Sequence, residues 1–370
     1  MRSSCHTKCI SAVALLTVLA AVLNGRGFAQ IIVPPAPPPT STEPSALSTD
    51  CAVSDDRISI YVEVTDKSGH PVSGLEARDF TLLDSNQPQQ LIKFRAVDVN
   101  HPPFIPEHVL ILIDAVDTDY LVVARARDGL SDFFKQSGPK LAYPTSIAIL
   151  SNAGLKLEGG PTQDRDALLS ALNNAKSALR VIGPSAGVYG AAERSEQSFN
   201  LIRDMISTEA KQCGRKLVLM VSPGWPMLSE AGSYVDSKHR SWIFDDIVGI
   251  TNGMREASVS LYALDPSSFG SRASLSYESY LKGVSKITDA QYPDLALQVL
   301  AEHSGGQVIL LGNDIEAEIK TAEADAVAYY RLTFRAAPPG QSVQYHPIRV
   351  KVDKPGLKVR TTAGYYTQVK

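Results

Sequence analysis

Cysteine is scarce in this chain. Of four, Cys5 and Cys9 sit at the very start, and Cys51 and Cys213 lie far apart. No CxxC pair and no Cys/His ligand spacing occurs, which excludes a zinc-finger or thioredoxin-like reading. The seven histidines are scattered over different segments, and none falls in an H-E-x-x-H spacing. Charge of one sign is also lacking: 36 Lys and Arg stand against 39 Asp and Glu, without a basic stripe. Phosphate backbones need concentrated positive charge, so nucleic acid is not the expected partner. After residue 29 no apolar run is long enough to cross a bilayer. The remainder of the chain is expected to be soluble, or peripheral at most.

What is present begins with an export signal. Arg2 and Lys8 form a positive start, Ile10 to Leu23 is almost unbroken apolar sequence, and Asn24-Gly25-Arg26-Gly27 breaks it. Gly27-Phe28-Ala29 places small residues at the −3 and −1 positions of a cleavage site. Residues 1–29 therefore read as a cleavable signal peptide, the alternative being an uncleaved anchor. The expected location is extracytoplasmic, periplasmic or secreted. Export would leave Cys51 and Cys213 in an oxidising compartment, either as a disulfide or as two isolated thiols.

Residues 30–56 contain Pro34-Pro35-Ala36-Pro37-Pro38-Pro39 and a Ser/Thr stretch, an extended linker. From 57 to 100 the pattern is β: Ile58, Ile60, Val62 and Val64 alternate with polar residues, and Phe80–Leu83 and Leu91–Phe94 follow after turns. Between 101 and 328 apolar strands alternate with helical segments. Strands are expected at 108–113, 146–150, 216–221, 259–264 and 307–311. Helices are expected at 120–134, 164–179, 195–210, 242–257, 295–303 and 314–328, with Asp314 as an N-cap. This alternation implies a doubly wound, mostly parallel α/β sheet. From 329 to 370 β patterning returns. Neither terminal β segment is large enough to fold alone, so the two are expected to pair into a small β-sandwich with the α/β domain inserted between them.

Three blocks carry a family resemblance. They are Val64-Thr65-Asp66-Lys67-Ser68-Gly69-His70-Pro71-Val72-Ser73-Gly74-Leu75 with Asp79-Phe80; Gly214-Arg215-Lys216 leading to Ser222-Pro223-Gly224-Trp225-Pro226; and Lys351-Val352-Asp353-Lys354-Pro355-Gly356-Leu357 through Gly364-Tyr365-Tyr366. In this order the chain resembles von Willebrand factor A (VWA) domain proteins, and more narrowly the acidobacterial VWFA-related proteins. The resemblance implies an adhesion-type fold that binds protein partners at the carboxyl ends of its strands, often through a divalent metal.

Residue by residue, the implied metal site is degenerate. In the first loop, Asp114 and Thr118 keep a carboxylate and a hydroxyl, but Val116 stands where the family has a serine. In the second, Ala186 falls on the family's threonine, with Ser185 one step away; in the third, Pro223 replaces an aspartate. Asp114 and Thr118 remain as metal candidates, with Asp117 or Asp119 as substitutes. A hard cation wants more oxygens than that. No cofactor is therefore expected, although Mg²⁺ or another divalent cation is possible.

Strand ends in such folds also carry ligands. Asp114, Thr118, Ser151, Asn152, Ser222, Asp265 and Asn313 would form a polar rim without a nucleophile–base pair. His303, near a helix end, reads as a cation favoured by the helix dipole. Trp225 reads equally as an interface anchor at the rim or as packing beneath the following loop. The expected function is an exported, non-enzymatic protein-binding module, with Asp117, Asp119, Ser185, Ser222 and Trp225 at its binding face. The alternatives are a weakly metal-dependent hydrolase and a self-assembling envelope protein that donates edge strands.

Overall fold

The structure, a computed structural model, describes residues 56–98, 107–118, 120–151, 153–175, 188–225, 227, 234–265, 277–310 and 314–367, with the backbone alone for 188–195. The expected signal peptide, nearly all of the expected linker, Cys51, Asp119 and Ser185 lie outside these residues.

The α/β domain is built on a six-stranded sheet. Its strands are β5 (His108–Asp114), β6 (Lys140–Ser151), β7 (Gly154–Asp164), β8 (Lys216–Val221), β9 (Val259–Leu264) and β10 (Val308–Ile309), in the spatial order β10-β9-β8-β5-β6-β7. Every pairing is parallel except β6 with β7. All residues of β5, β8 and β9 are buried, as a strand covered on both faces must be. Alternate side chains enter opposite cores. Val109, Ile111 and Ile113 face α1 (Tyr120–Gln136), α2 (Arg165–Asn174) and α6 (Ile315–Ala324). Leu110 and Leu112 face α3 (Val188–Glu209), α4 (Ser237–Glu256) and α5 (Leu297–His303). The domain is thus a doubly wound, mostly parallel α/β fold. Asp314 caps α6 as the sequence implies, its Oδ1 accepting from the Ala317 amide at 2.9 Å.

Strand β7 is the element the sequence did not announce. It pairs antiparallel with β6 through an irregular register and forms an exposed edge. Strand β10 is shorter than its apolar run suggests.

The terminal β segments interleave in two further sheets. One has the order β13 (Lys358–Thr361), β1 (Arg57–Thr65), β11 (Ala328–Arg335), β4 (Leu91–Asp98). The other has β14 (Gly364–Tyr366), β12 (Tyr345–Val352), β2 (Phe80–Asp84), β3 (Gln87–Gln89). N-terminal β1 is flanked on both sides by C-terminal strands, and β2 pairs with β12. Ile60, Val62, Phe80, Leu82, Tyr330, Leu332 and Ile348 share the core of this unit. Neither half of the chain can complete it alone.

The β unit and the α/β domain are joined by close backbone contact. Asn252 on α4 donates to the Tyr366 carbonyl at 2.9 Å and accepts from its amide at 3.0 Å. Gly305, at φ +87°, lies so close to the turn before β14 that an added Cβ would meet the Thr362 amide at 2.9 Å. That position requires glycine on both counts.

Candidate functional site

The carboxyl ends of β5, β8 and β9 form a rim. Asp114 ends β5, and its side chain turns back into the following loop: Oδ1 accepts from the amides of Val116 (2.8 Å) and Asp117 (3.2 Å). Ser222, just past β8, donates its hydroxyl to Asp114 Oδ2 at 2.7 Å and accepts from the Gly224 amide at 3.0 Å. Asp114 and Ser222 are both buried. Burial raises the Asp114 pKa above the usual carboxylate range, and these three donors oppose the shift. Asp117 points toward α3, where Ser198 Oγ donates to its Oδ2 at 2.8 Å. Thr118 is 3% exposed, and its hydroxyl has no hydrogen-bond partner among the described residues.

Asp265 is buried just past β9. Ser151, at the end of β6, accepts weakly from the Ala153 amide. Gln298, on α5, donates to the Pro223 carbonyl at 3.2 Å, while its buried Oε1 has no partner among the described residues. Gln298 and Ser198 escaped the sequence reading because nothing in a helix's own pattern says which loop it will face. Asn152 and Asn313, like Asp119 and Ser185, lie outside the described residues.

Trp225 is not on the rim. It is 3% exposed, its Nε1 donates to the Leu295 carbonyl at 2.7 Å, and its ring meets Phe199 edge-on at 5.5 Å. A buried indole with its one donor satisfied is core, so the interface-anchor expectation is corrected to packing. His303 is corrected too. It is buried against the Leu281 carbonyl, and desolvation lowers its pKa, so burial outweighs the helix-end dipole.

Among the described residues, the side-chain oxygens of the first loop and of neighbouring Ser222 are the Asp114 and Asp117 carboxylates and the Thr118 and Ser222 hydroxyls. Both Asp114 oxygens already accept from protein donors, Asp117 Oδ2 accepts from Ser198, and Val116 is a buried apolar side chain. Among the described residues these are two carboxylates and two hydroxyls, fewer groups than the six or more oxygens a hard divalent cation takes. Among the described residues no group of three or more His, Cys, Asp or Glu side chains is placed to hold a metal.

A Ser–His–Glu arrangement occurs at the opposite ends of the strands. His108 Nε2 lies 2.8 Å from Ser146 Oγ, and its Nδ1 lies 3.1 Å from Glu209 Oε2. This order matches the nucleophile, base and orienting acid of a hydrolase. Its surroundings do not. Ser146 is 1% exposed, and a Cβ built on Gly160 would stand 2.7 Å from its Oγ. No acyl carbon has room beside that hydroxyl, so the trio works as a buried polar bridge joining β5, β6 and α3.

Cys213, between α3 and β8, is disulfide-bonded, and its partner lies outside the described residues. No helix among the described residues is long and apolar enough to cross a membrane.

No family model matches the sequence, and no curated protein matches it at a significant level. Solved structures do overlap the fold. The chain is similar to manganese-loaded Plasmodium vivax TRAP protein, with 8% identity and a TM-score of 0.34 over 73% of this chain and 96% of that one. It is also similar to the ArnB paralog VWA2 from Sulfolobus acidocaldarius, at 9% identity and a TM-score of 0.29 over 84% and 76%. Proximal thread matrix protein 1 from the mussel byssus overlaps at 10% identity and a TM-score of 0.31 over 66% and 50%. These are likenesses of fold at low identity. The α/β class stands on the strand order and on the two-sided covering of the sheet.

Proposed function

We propose that this chain is an exported protein-binding module of the VWFA-related type, engaging its partner through the carboxyl-end rim without a metal and without catalysis. The observation that carries this reading is the bond from Ser222 to Asp114. The carboxylate that would neutralise a cation is spent on holding the first and third loops together, so the rim is stiff before any partner arrives. A preformed surface loses less conformational entropy on binding.

Contact chemistry lies beside that rim. Tyr120 and Leu121 open α1 directly after the first loop, and they are 58% and 73% exposed. Exposed large apolar side chains at the mouth of a fixed polar loop suit a protein partner better than a small polar substrate. Export supplies the setting in which Cys213 stays oxidised, and Cys51 is its proposed partner.

The test is a pair of surface variants in the full chain. Leu121→Asp should abolish co-purification of partners from the producing cell's envelope fraction. Leu157→Asp, on the exposed edge strand β7, should leave it intact, and both proteins should melt like wild type. Loss only with Leu157→Asp would move the function to the strand edge and favour self-assembly.

A further inference from the structure

The chain crosses between the β unit and the α/β domain at two places, and both flank one buried guanidinium. Glu107 ends the crossing into β5, and Asp325 begins the crossing from α6 back to β11. Between them lies Arg215, whose side chain is fully buried. It pairs with Glu63 on β1, donates to the Asp325 carbonyl at 3.1 Å, and reaches Ser260 on β9. Its guanidinium lies 4.8 Å from the Tyr329 ring centre and 5.3 Å from that of Tyr61. Arg360 on β13 completes the cluster by pairing with Asp325, which also accepts from the Tyr262 hydroxyl at 2.7 Å.

The cluster holds three carboxylates and two guanidiniums. Glu63 and Asp325 each have a guanidinium in direct contact. Glu107 does not. It is fully buried, its nearest guanidinium nitrogen is 4.0 Å away, and the Tyr329 hydroxyl is the side chain that favours its ionised form by hydrogen bonding, though outside strict hydrogen-bond geometry. The groups facing it are Arg215, Glu63 on β1, Asp325 after α6, and the Tyr329 and Tyr143 hydroxyls on β11 and β6. Two guanidiniums face three carboxylates, so an ionised Glu107 would be a third negative charge at a fully buried site; burial raises the Glu63 pKa as well, with Arg215 the chief opposing influence there.

We propose that the Arg215 cluster is a proton-gated clasp, holding the β unit on the α/β domain most tightly when Glu107 is protonated. Burial pushes the Glu107 pKa up from 4.5 to about 8, with Arg215 the chief opposing influence. A folded-state value above the unfolded one means that the folded protein holds the extra proton. The stability it supplies is full below the unfolded value and is lost as pH rises through about 8.

The experiment compares thermal melting of wild type and Glu107→Gln from pH 5 to pH 9, with hydrogen exchange at pH 6 and pH 8. The glutamine keeps the shape and removes the ionisation. Wild type should lose roughly 3–8 °C of melting temperature over this range beyond any loss in the variant. Exchange in wild type should quicken at pH 8, after correction for intrinsic rates, in Tyr329–Leu332 and Lys358–Thr361, and not in the variant. Parallel melting curves for the two proteins would overturn the proposal. So would a Glu107→Gln chain that fails to fold, because the neutral side chain is the one the clasp is argued to favour.

Discussion

Ser222 Oγ lies 2.7 Å from Asp114 Oδ2, joining the ends of two neighbouring parallel strands, β8 and β5. The bond turns the first loop's buried carboxylate into scaffold. Ser222→Ala removes the donor and leaves a buried acceptor short of a partner, costing about 1–3 kcal/mol. It also removes one of the influences lowering the Asp114 pKa, so that pKa rises further. The loss of stability with rising pH should then continue to a higher pH than in wild type. Urea unfolding at several pH values measures both effects.

Trp225 gives a second prediction. Trp225→Ala opens a cavity beside Phe199 and should cost about 3–5 kcal/mol. Trp225→Phe keeps most of the packing and loses only the donor to Leu295, for about 1 kcal/mol. If Trp225→Ala instead left stability unchanged and reduced partner binding, the indole would belong to the interface after all.

The joint between α4 and β14 is a third point of attack. Asn252→Ala removes both bonds to the Tyr366 backbone, and the expected loss is about 1–3 kcal/mol. Hydrogen exchange should quicken first at Tyr366. An unchanged Tyr366 amide would mean that the strand is held by its ring packing alone.

Cys213 gives a fourth. Peptide mapping of the protein under non-reducing conditions should recover a Cys51–Cys213 bridge, and reductant or Cys51→Ser should lower the melting temperature. A bridge from Cys213 to Cys5 or Cys9 would contradict cleavage of the signal peptide.

The strands buried on both faces were the most legible part of the fold. The runs from His108 and from Lys216 are continuous apolar stretches, and the strands found there match them within a residue. The interleaved terminal sheets followed from a simple argument about size, since neither segment could bury a core alone. Strand β7 was not legible. Gly159-Gly160-Pro161 interrupts its alternation, and an exposed edge strand has little apolar pattern to show. At the rim, Asp114 and Ser222 were visible as separate polar strand ends, but their mutual bond was not, because it depends on how two loops meet. Glu107, Glu63 and Arg215 looked like ordinary scattered charges. Only the three-dimensional crossing of the chain brings them together, and no local pattern records a contact between residues so far apart in sequence.

The proposed partner docks at the rim without a metal. A photo-crosslinking amino acid at position 121 of the full chain, expressed in the producing cell, puts this docking to the test. The control carries the same amino acid at position 157. A discrete crosslinked protein is expected at 121 and none at 157, with the same yield in the presence and absence of a divalent-metal chelator. A crosslink at 121 that disappears with chelator and returns with Mg²⁺ or Mn²⁺ would contradict metal-free docking.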